Sequence, residues 1–164
     1  MTYLYKHYSY KHYSYKHYRH FLIALTFIVM ALSLIGCNHI STQSTNSTLY
    51  ERLGGKTTID AVVENLLYRI ADDPEVVVFF ANTNIDLFAD SLASQLCDVS
   101  DGPCRYEGPP MDRAHQHMGL TDVHFNRVVE YLDAAMQAEN IPLSARNELL
   151  GRLAPMYVDI MRFQ

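Results

Sequence analysis

PPMDRAHQHMGLTDVHF, residues 109–125, sets a single histidine, His115, on an apolar face between a helix start and a helix stop. Pro109 and Pro110 suit the first turn of a helix, where a missing N–H leaves nothing unsatisfied. Gly119 is predicted to end that short helix and Thr121 to cap the next one. Within it, Met111, Ala114 and Met118 fall at i−4, i−1 and i+3 from His115, so the imidazole projects from an apolar surface. An imidazole so placed needs a partner, and taken by itself it reads as a core histidine bonded to a backbone carbonyl.

Working outward, apolar spacing near 3.6 recurs along the chain. Leu49, Tyr50 and Leu53 make a turn or two, closed by Gly54 and Gly55. Ile59, Val62, Val63, Leu66, Leu67 and Ile70 form one face of a second helix, with Thr57 or Thr58 as its expected cap, ending at Asp72-Asp73-Pro74. The apolar run Val76 to Phe80 has no pairing partner nearby and is predicted to be a helical turn that carries aromatics inward. Residues 85–97 read as a helix with Phe88, Leu92 and Leu96 at i, i+4 and i+8. Phe125, Val128, Val129, Leu132 and Met136 define one long helix, broken at residues 140–142. Ser144 is expected to cap the last helix, which Leu149, Leu150, Leu153, Met156 and Ile160 continue and which Pro155 should kink. No segment alternates with period two for long enough to build a sheet, so the fold class is all-α.

The order LYERLGG (49–55), VVENLLYRIADDP (62–74), FFANTN (79–84), GPCRYEGPPMDRAHQHMGLT (102–121) and LLGRLAPMYVDIM (149–161) resembles a truncated hemoglobin of group I. These are the two-over-two helical globins, and the resemblance spans nearly all of residues 48–164. It implies a haem b cofactor with His115 as proximal iron ligand, Phe80 on the haem face, and Met111 and Met118 flanking the ligand. It also implies a diatomic gas ligand: oxygen, nitric oxide or carbon monoxide. Family members carry a tyrosine in the second helix and often a glutamine in the distal helix, which hydrogen-bond oxygen. In the same register this chain has Leu67 at the tyrosine position and Phe88 and Leu92 at the distal pair. The remaining polar candidates are Tyr68, rotated by about 100° on the helix, and Gln95, nearly a turn further along. His117, two residues beyond His115, points about 200° away from it on a helix. His124 is read as a solvated residue at a helix start. Reversible gas binding for carriage or sensing is the leading functional reading. A nitric oxide dioxygenase or a peroxidase on the same iron is the alternative, and it would require a separate electron donor because no flavin or reductase motif is present. A helical protein that has lost haem is the third, and a haem absorption band would exclude it. With so small a core, loss of haem is expected to loosen the fold.

Residues 1–36 do not share the globin pattern. Lys6, Lys11, Lys16 and Arg19 precede an apolar run of about 15 residues from Phe21 to Ile35, the shape of a signal peptide and short for a membrane span. The run ends in Leu34-Ile35-Gly36-Cys37, which looks like a bacterial lipobox with Cys37 as the lipidated residue. Asn38, rather than Asp, points to the outer membrane. Residues 37–47 then form a polar tether, and the expected location is the cell envelope, on the periplasmic side. The repeat Tyr-Lys-His-Tyr-Ser in residues 3–18 spaces His7, His12 and His17 by five; spaced histidines can chelate divalent ions, but this tract lies in the segment expected to be removed. The leader takes four of the 13 basic residues and none of the 18 acidic ones, leaving residues 37–164 at a net charge of −9. Such a surface repels nucleic acid, and the lipid rather than a basic patch would hold it at a membrane. In that oxidising compartment Cys97 and Cys104, six residues apart in the loop count, can pair, with two free thiols as the other reading.

Overall fold

A computed structural model describes residues 47–164. The expected leader, Cys37 and the tether through residue 46 lie outside the described residues. Among the described residues there is no strand, and none of the helices is long and apolar enough to cross a membrane.

Helix α1 is a single turn, Leu49–Arg52, closed at its start by a capping box: Thr48 Oγ1 accepts from Glu51 N at 3.2 Å and the Glu51 carboxylate accepts from Thr48 N at 3.0 Å. Helix α2, Gly55–Ala71, begins differently from the sequence expectation of a threonine cap. Its N-cap is Gly54 at φ +92°, and Thr58 instead donates its hydroxyl back to the Gly54 carbonyl at 3.2 Å. A Cβ on Gly54 would strike that threonine, so the left-handed turn is open to glycine alone. The helix ends at Asp72 and buries Ile59, Val62, Val63, Leu66 and Ile70.

The apolar run after Pro74 is a 3₁₀ turn, Val77–Phe80, as its lack of a strand partner suggested. Helix α3, Ile85–Val99, is capped by Asn84, whose side chain accepts from Leu87 N at 3.1 Å, and runs two residues past Cys97. Helix α4 is one turn, Met111–Ala114, with Pro110 as N-cap. Helix α5, Asp122–Ala138, starts at Thr121 through a capping box in which His124 takes the glutamate's place: its Nδ1 accepts from Thr121 N at 3.2 Å. The His124 ring also meets Phe79 edge-on at 4.9 Å, so it is a half-buried cap and not a solvated residue. Helix α6 is Leu143–Leu153. Ser144 does not cap it; Pro142 is the N-cap, with no side-chain bond, and its fixed φ preorganises the first turn. At Pro155 the chain tightens into a 3₁₀ turn, Ala154–Met156, before helix α7, Tyr157–Ile160.

Helix α2 crosses both α3 and α5, and α1 packs on α6; Leu49, Leu53, Leu96, Met136 and Leu149 are almost wholly buried where they meet. Each such side chain contributes about 1.5–3 kcal/mol relative to exposure. One polar hub joins the end of α2 to α5. The Asp73 carboxylate accepts from Tyr131 Oη at 2.6 Å, from Glu75 N at 2.8 Å and from Arg127 Nη1 at 3.1 Å, and Arg127 also pairs with Glu75.

The Tyr131 hydroxyl, with the Glu75 amide and Arg127, holds the Asp73 carboxyl below the usual carboxylate range. A folded-state pKa below the unfolded one adds stability above the unfolded value and loses it as pH falls through the folded value. Thermal unfolding followed from neutral pH down to about pH 3, across the carboxylate range, should therefore show a steep acid limb. Asp73→Asn should lower the melting temperature at neutral pH and flatten that limb; Glu148, held down by Arg52, accounts for part of what remains.

Candidate functional site

The decisive geometry is at His115. The residue ends α4 as its C-cap, at φ −116° and ψ 1°, and the apolar helical face foreseen around it stops there. Ala114 is exposed, and Met118 lies in the following turn, half-buried but off any helix. Gly119, at φ +70°, lies five residues past the helix end rather than closing it, and His117 takes its own left-handed conformation at φ 59°. The helix is shorter than the sequence suggested because nothing in residues 115–118 returns a helical hydrogen bond after His115 N donates to Met111 O at 3.2 Å.

His115 Nδ1 lies 2.9 Å from the same Met111 carbonyl. A carbonyl only accepts, so Nδ1 carries a proton, and Nε2 is the nitrogen left to offer a lone pair. The core-histidine reading and the ligand role that the resemblance implies therefore coincide in one geometry: the backbone bond of a core histidine is the bond that fixes the tautomer a metal ligand requires.

From His115 a chain of contacts leads through Met111 onto α3. Met111, whose carbonyl holds the ring, places its Sδ 3.3 Å from Gln95 Nε2, and Met156 Sδ lies 3.5 Å from the same amide. Gln95 is buried on α3, one turn beyond Leu92, and Leu92 is one turn beyond Phe88. Phe88 meets Phe80 edge-on at 5.1 Å. Leu67, Phe80 and Leu92 are each half-buried, one side against the core and the other uncovered by it. Tyr68 does not join them. Its side chain is 65% exposed and its hydroxyl donates to Glu64 at 3.3 Å on the outer side of α2, so of the two polar candidates only Gln95 faces inward. Met156 and residues 163 and 164 also reach this region, and sequence reasoning did not single them out; Met156 reads as one more apolar position in a helix.

Cys97 and Cys104 are joined by a disulfide with Cα atoms 5.8 Å apart, tying the end of α3 to the loop that leads into α4. Closing so short a loop is worth about 2 to 3 kcal/mol. Cys97→Ser with Cys104→Ser should lower stability by about that amount in denaturant unfolding, and thiol titration of the unreduced wild-type protein should find neither sulfur free.

A histidine whose ring is fixed through one nitrogen, linked through Met111 and Gln95 to a helix that also carries Leu92 and Phe88, is the arrangement of a globin. Residues 48–162 match the model of the bacterial-like globin family. Among curated relatives, the group 1 truncated hemoglobin GlbN of Mycolicibacterium paratuberculosis is 32% identical over 114 residues, 70% of this chain and 84% of that protein. GlbN of Nostoc sp. (strain MUN 8820) is 33% identical over 110 residues, 67% of this chain and 93% of that protein. Among solved structures, truncated hemoglobin from Tetrahymena pyriformis in its Fe(III) form superposes with a TM-score of 0.67 at 29% identity, covering 70% of this chain and 97% of that one. The 2/2 hemoglobin of Synechococcus sp. PCC 7002, solved in the cyanomet state with covalently attached heme, gives the same score and identity, covering 71% and 99%. The chain belongs to the bacterial-like globin family and, within it, to the group 1 truncated hemoglobins, with the two-over-two helical fold.

The cofactor of that family is haem, and the residues here fit it. His115 belongs to no group of three or more His, Cys, Asp or Glu side chains that could hold an ion among the described residues. A lone imidazole is too few ligands for a free divalent ion, whereas porphyrin already supplies four nitrogens to its iron and asks one more of the protein. The half-buried Leu67, Phe80 and Leu92 offer the apolar area a macrocycle would cover.

Proposed function

We propose that this protein is a haem globin that reversibly binds oxygen or another diatomic gas at the bacterial cell envelope, with His115 Nε2 as the nitrogen that would hold the haem iron. The observation that supports it most is the Nδ1–H bond of His115 to the Met111 carbonyl, which leaves Nε2 bare and aimed by a fixed ring. The haem, when bound, would supply the iron at which a gas binds. The chain's own residues hold the imidazole through its Nδ1–H, present Leu67, Phe80, Phe88 and Leu92 as half-buried apolar surface, and bring one amide, Gln95, beside Met111.

Oxygen dissociates quickly and the protein oxidises readily in this reading, because Leu67, Phe88 and Leu92 offer no hydrogen bond to developing negative charge. The test is repeated cycling between oxygenated and deoxygenated buffer, followed by absorbance, with nitric oxide then added to the oxygenated protein. Reversible cycling without catalytic nitrate formation supports gas binding. Sustained nitrate turnover with an added reductant would transfer the reading to a nitric oxide dioxygenase.

Envelope location rests on the basic and apolar leader and the Leu34-Ile35-Gly36-Cys37 run. Cys37→Ser should move the protein out of the membrane fraction or leave its leader uncleaved. A wild-type protein already free in the cytoplasm would end the lipoprotein reading.

A further inference from the structure

We propose that Gln164 is a positioning residue for the proximal histidine, acting as a clasp on the non-helical turn that carries it; this rests on the haem reading above. After Ala114 the chain makes no helical bond beyond His115 N until Thr121 opens α5. Residues 163 and 164 hold that interval from a part of the chain more than forty residues away. Gln164 Nε2 donates to the His115 carbonyl at 2.8 Å, Gln164 Oε1 accepts from Leu120 N at 3.0 Å, and the Phe163 carbonyl accepts from His117 N at 2.9 Å. Gln164 Nε2 also donates to Ile160 O at 2.5 Å, which orients the amide from α7, and Arg162 pairs with Asp159 at 2.5 Å and with Asp112 of α4 at 3.6 Å.

The effect on His115 is specific. Its backbone N–H and its ring Nδ1–H both go to Met111 O, at 3.2 and 2.9 Å, and its carbonyl goes to Gln164. Every polar group of the residue except Nε2 is thereby fixed. Met111 sets the ring from the N-terminal side, and Gln164 sets the 115–116 peptide plane from the other. Without the second bond that plane can turn about ψ of His115, which is in no helical ladder, and the ring's tilt would be set by α4 alone.

The test uses Gln164→Leu and Gln164→Glu in the full chain as purified, with two readouts: amide hydrogen exchange at His117 and Leu120, and the iron–histidine stretching band of the ferrous protein. Leucine removes donor and acceptor; glutamate keeps an acceptor for Leu120 N and loses the donor to both His115 O and Ile160 O. Loss of one such bond should speed Leu120 exchange by about five- to tenfold in the leucine variant and leave it near wild type in the glutamate variant. The stretching band should shift or broaden in both. An unmoved band in both variants would overturn the positioning role, even with faster exchange, since that result describes a merely structural tie. Unchanged exchange in Gln164→Leu would overturn the clasp itself. Absence of any iron–histidine band in the wild type would instead remove the haem reading, while the exchange arm still decides whether Gln164 holds the turn.

Discussion

Replacing His115 by alanine is expected to leave a folded or loosened helical protein that retains no stoichiometric haem. Altering only the hydrogen-bond partner of a metal ligand weakens binding by about 10- to 100-fold, so loss of the ligand itself should exceed that. His117→Asn is the matched control. His117 is exposed at φ 59°, a conformation asparagine also tolerates, and its N–H serves the Phe163 carbonyl whatever the side chain. Haem retention through gel filtration, measured as the ratio of haem to protein absorbance, should collapse for His115→Ala and stay at the wild-type value for His117→Asn. The opposite pattern would assign the iron to the wrong histidine.

The second large effect is expected at Leu67. Its side chain packs inward, whereas Tyr68 beside it is turned out toward Glu64. Leu67→Tyr should place a phenolic O–H on the inward side of α2, and slow oxygen release by about tenfold or more, equivalent to about 1.4 kcal/mol. Carbon monoxide release, which depends less on a donor, should change much less. Tyr68→Phe should alter neither rate. Gln95→Leu should speed oxygen release by less than about tenfold, because the amide is already engaged by the thioethers of Met111 and Met156. Flash photolysis and stopped-flow mixing give these rates. A larger effect from Gln95→Leu would make Gln95 the pocket's hydrogen-bond donor in place of the absent tyrosine.

The helix pattern was legible in the sequence wherever burial repeats along one element. Ile59, Val62, Val63, Leu66 and Ile70 announce α2, and the absence of period-two alternation excludes a sheet. Ends were less legible. Thr57, Thr58 and Ser144 are the residue types that cap helices, yet Gly54 and Pro142 do so here, because a left-handed glycine and a φ-restricted proline already direct the chain. At the site, the residue type and context of His115 were readable, but its short helix was overextended: a periodic set such as Met111, Ala114 and Met118 cannot reveal that the backbone leaves the helix at His115. Tyr68 and Gln95 were equivalent as polar candidates in sequence, and only packing turned one out and the other in. The ties from Phe163 and Gln164 link residues more than forty positions apart and carry no local signal.

The most direct measurement is a haem titration of the purified protein, followed by spectra in the ferric, ferrous and ferrous-carbonyl states. We expect saturation at an equimolar amount of haem and a Soret band that moves sharply on adding carbon monoxide to the ferrous form. A folded protein that stays colourless with equimolar haem, or whose ferrous spectrum does not respond to carbon monoxide, would contradict gas binding at a haem held by His115.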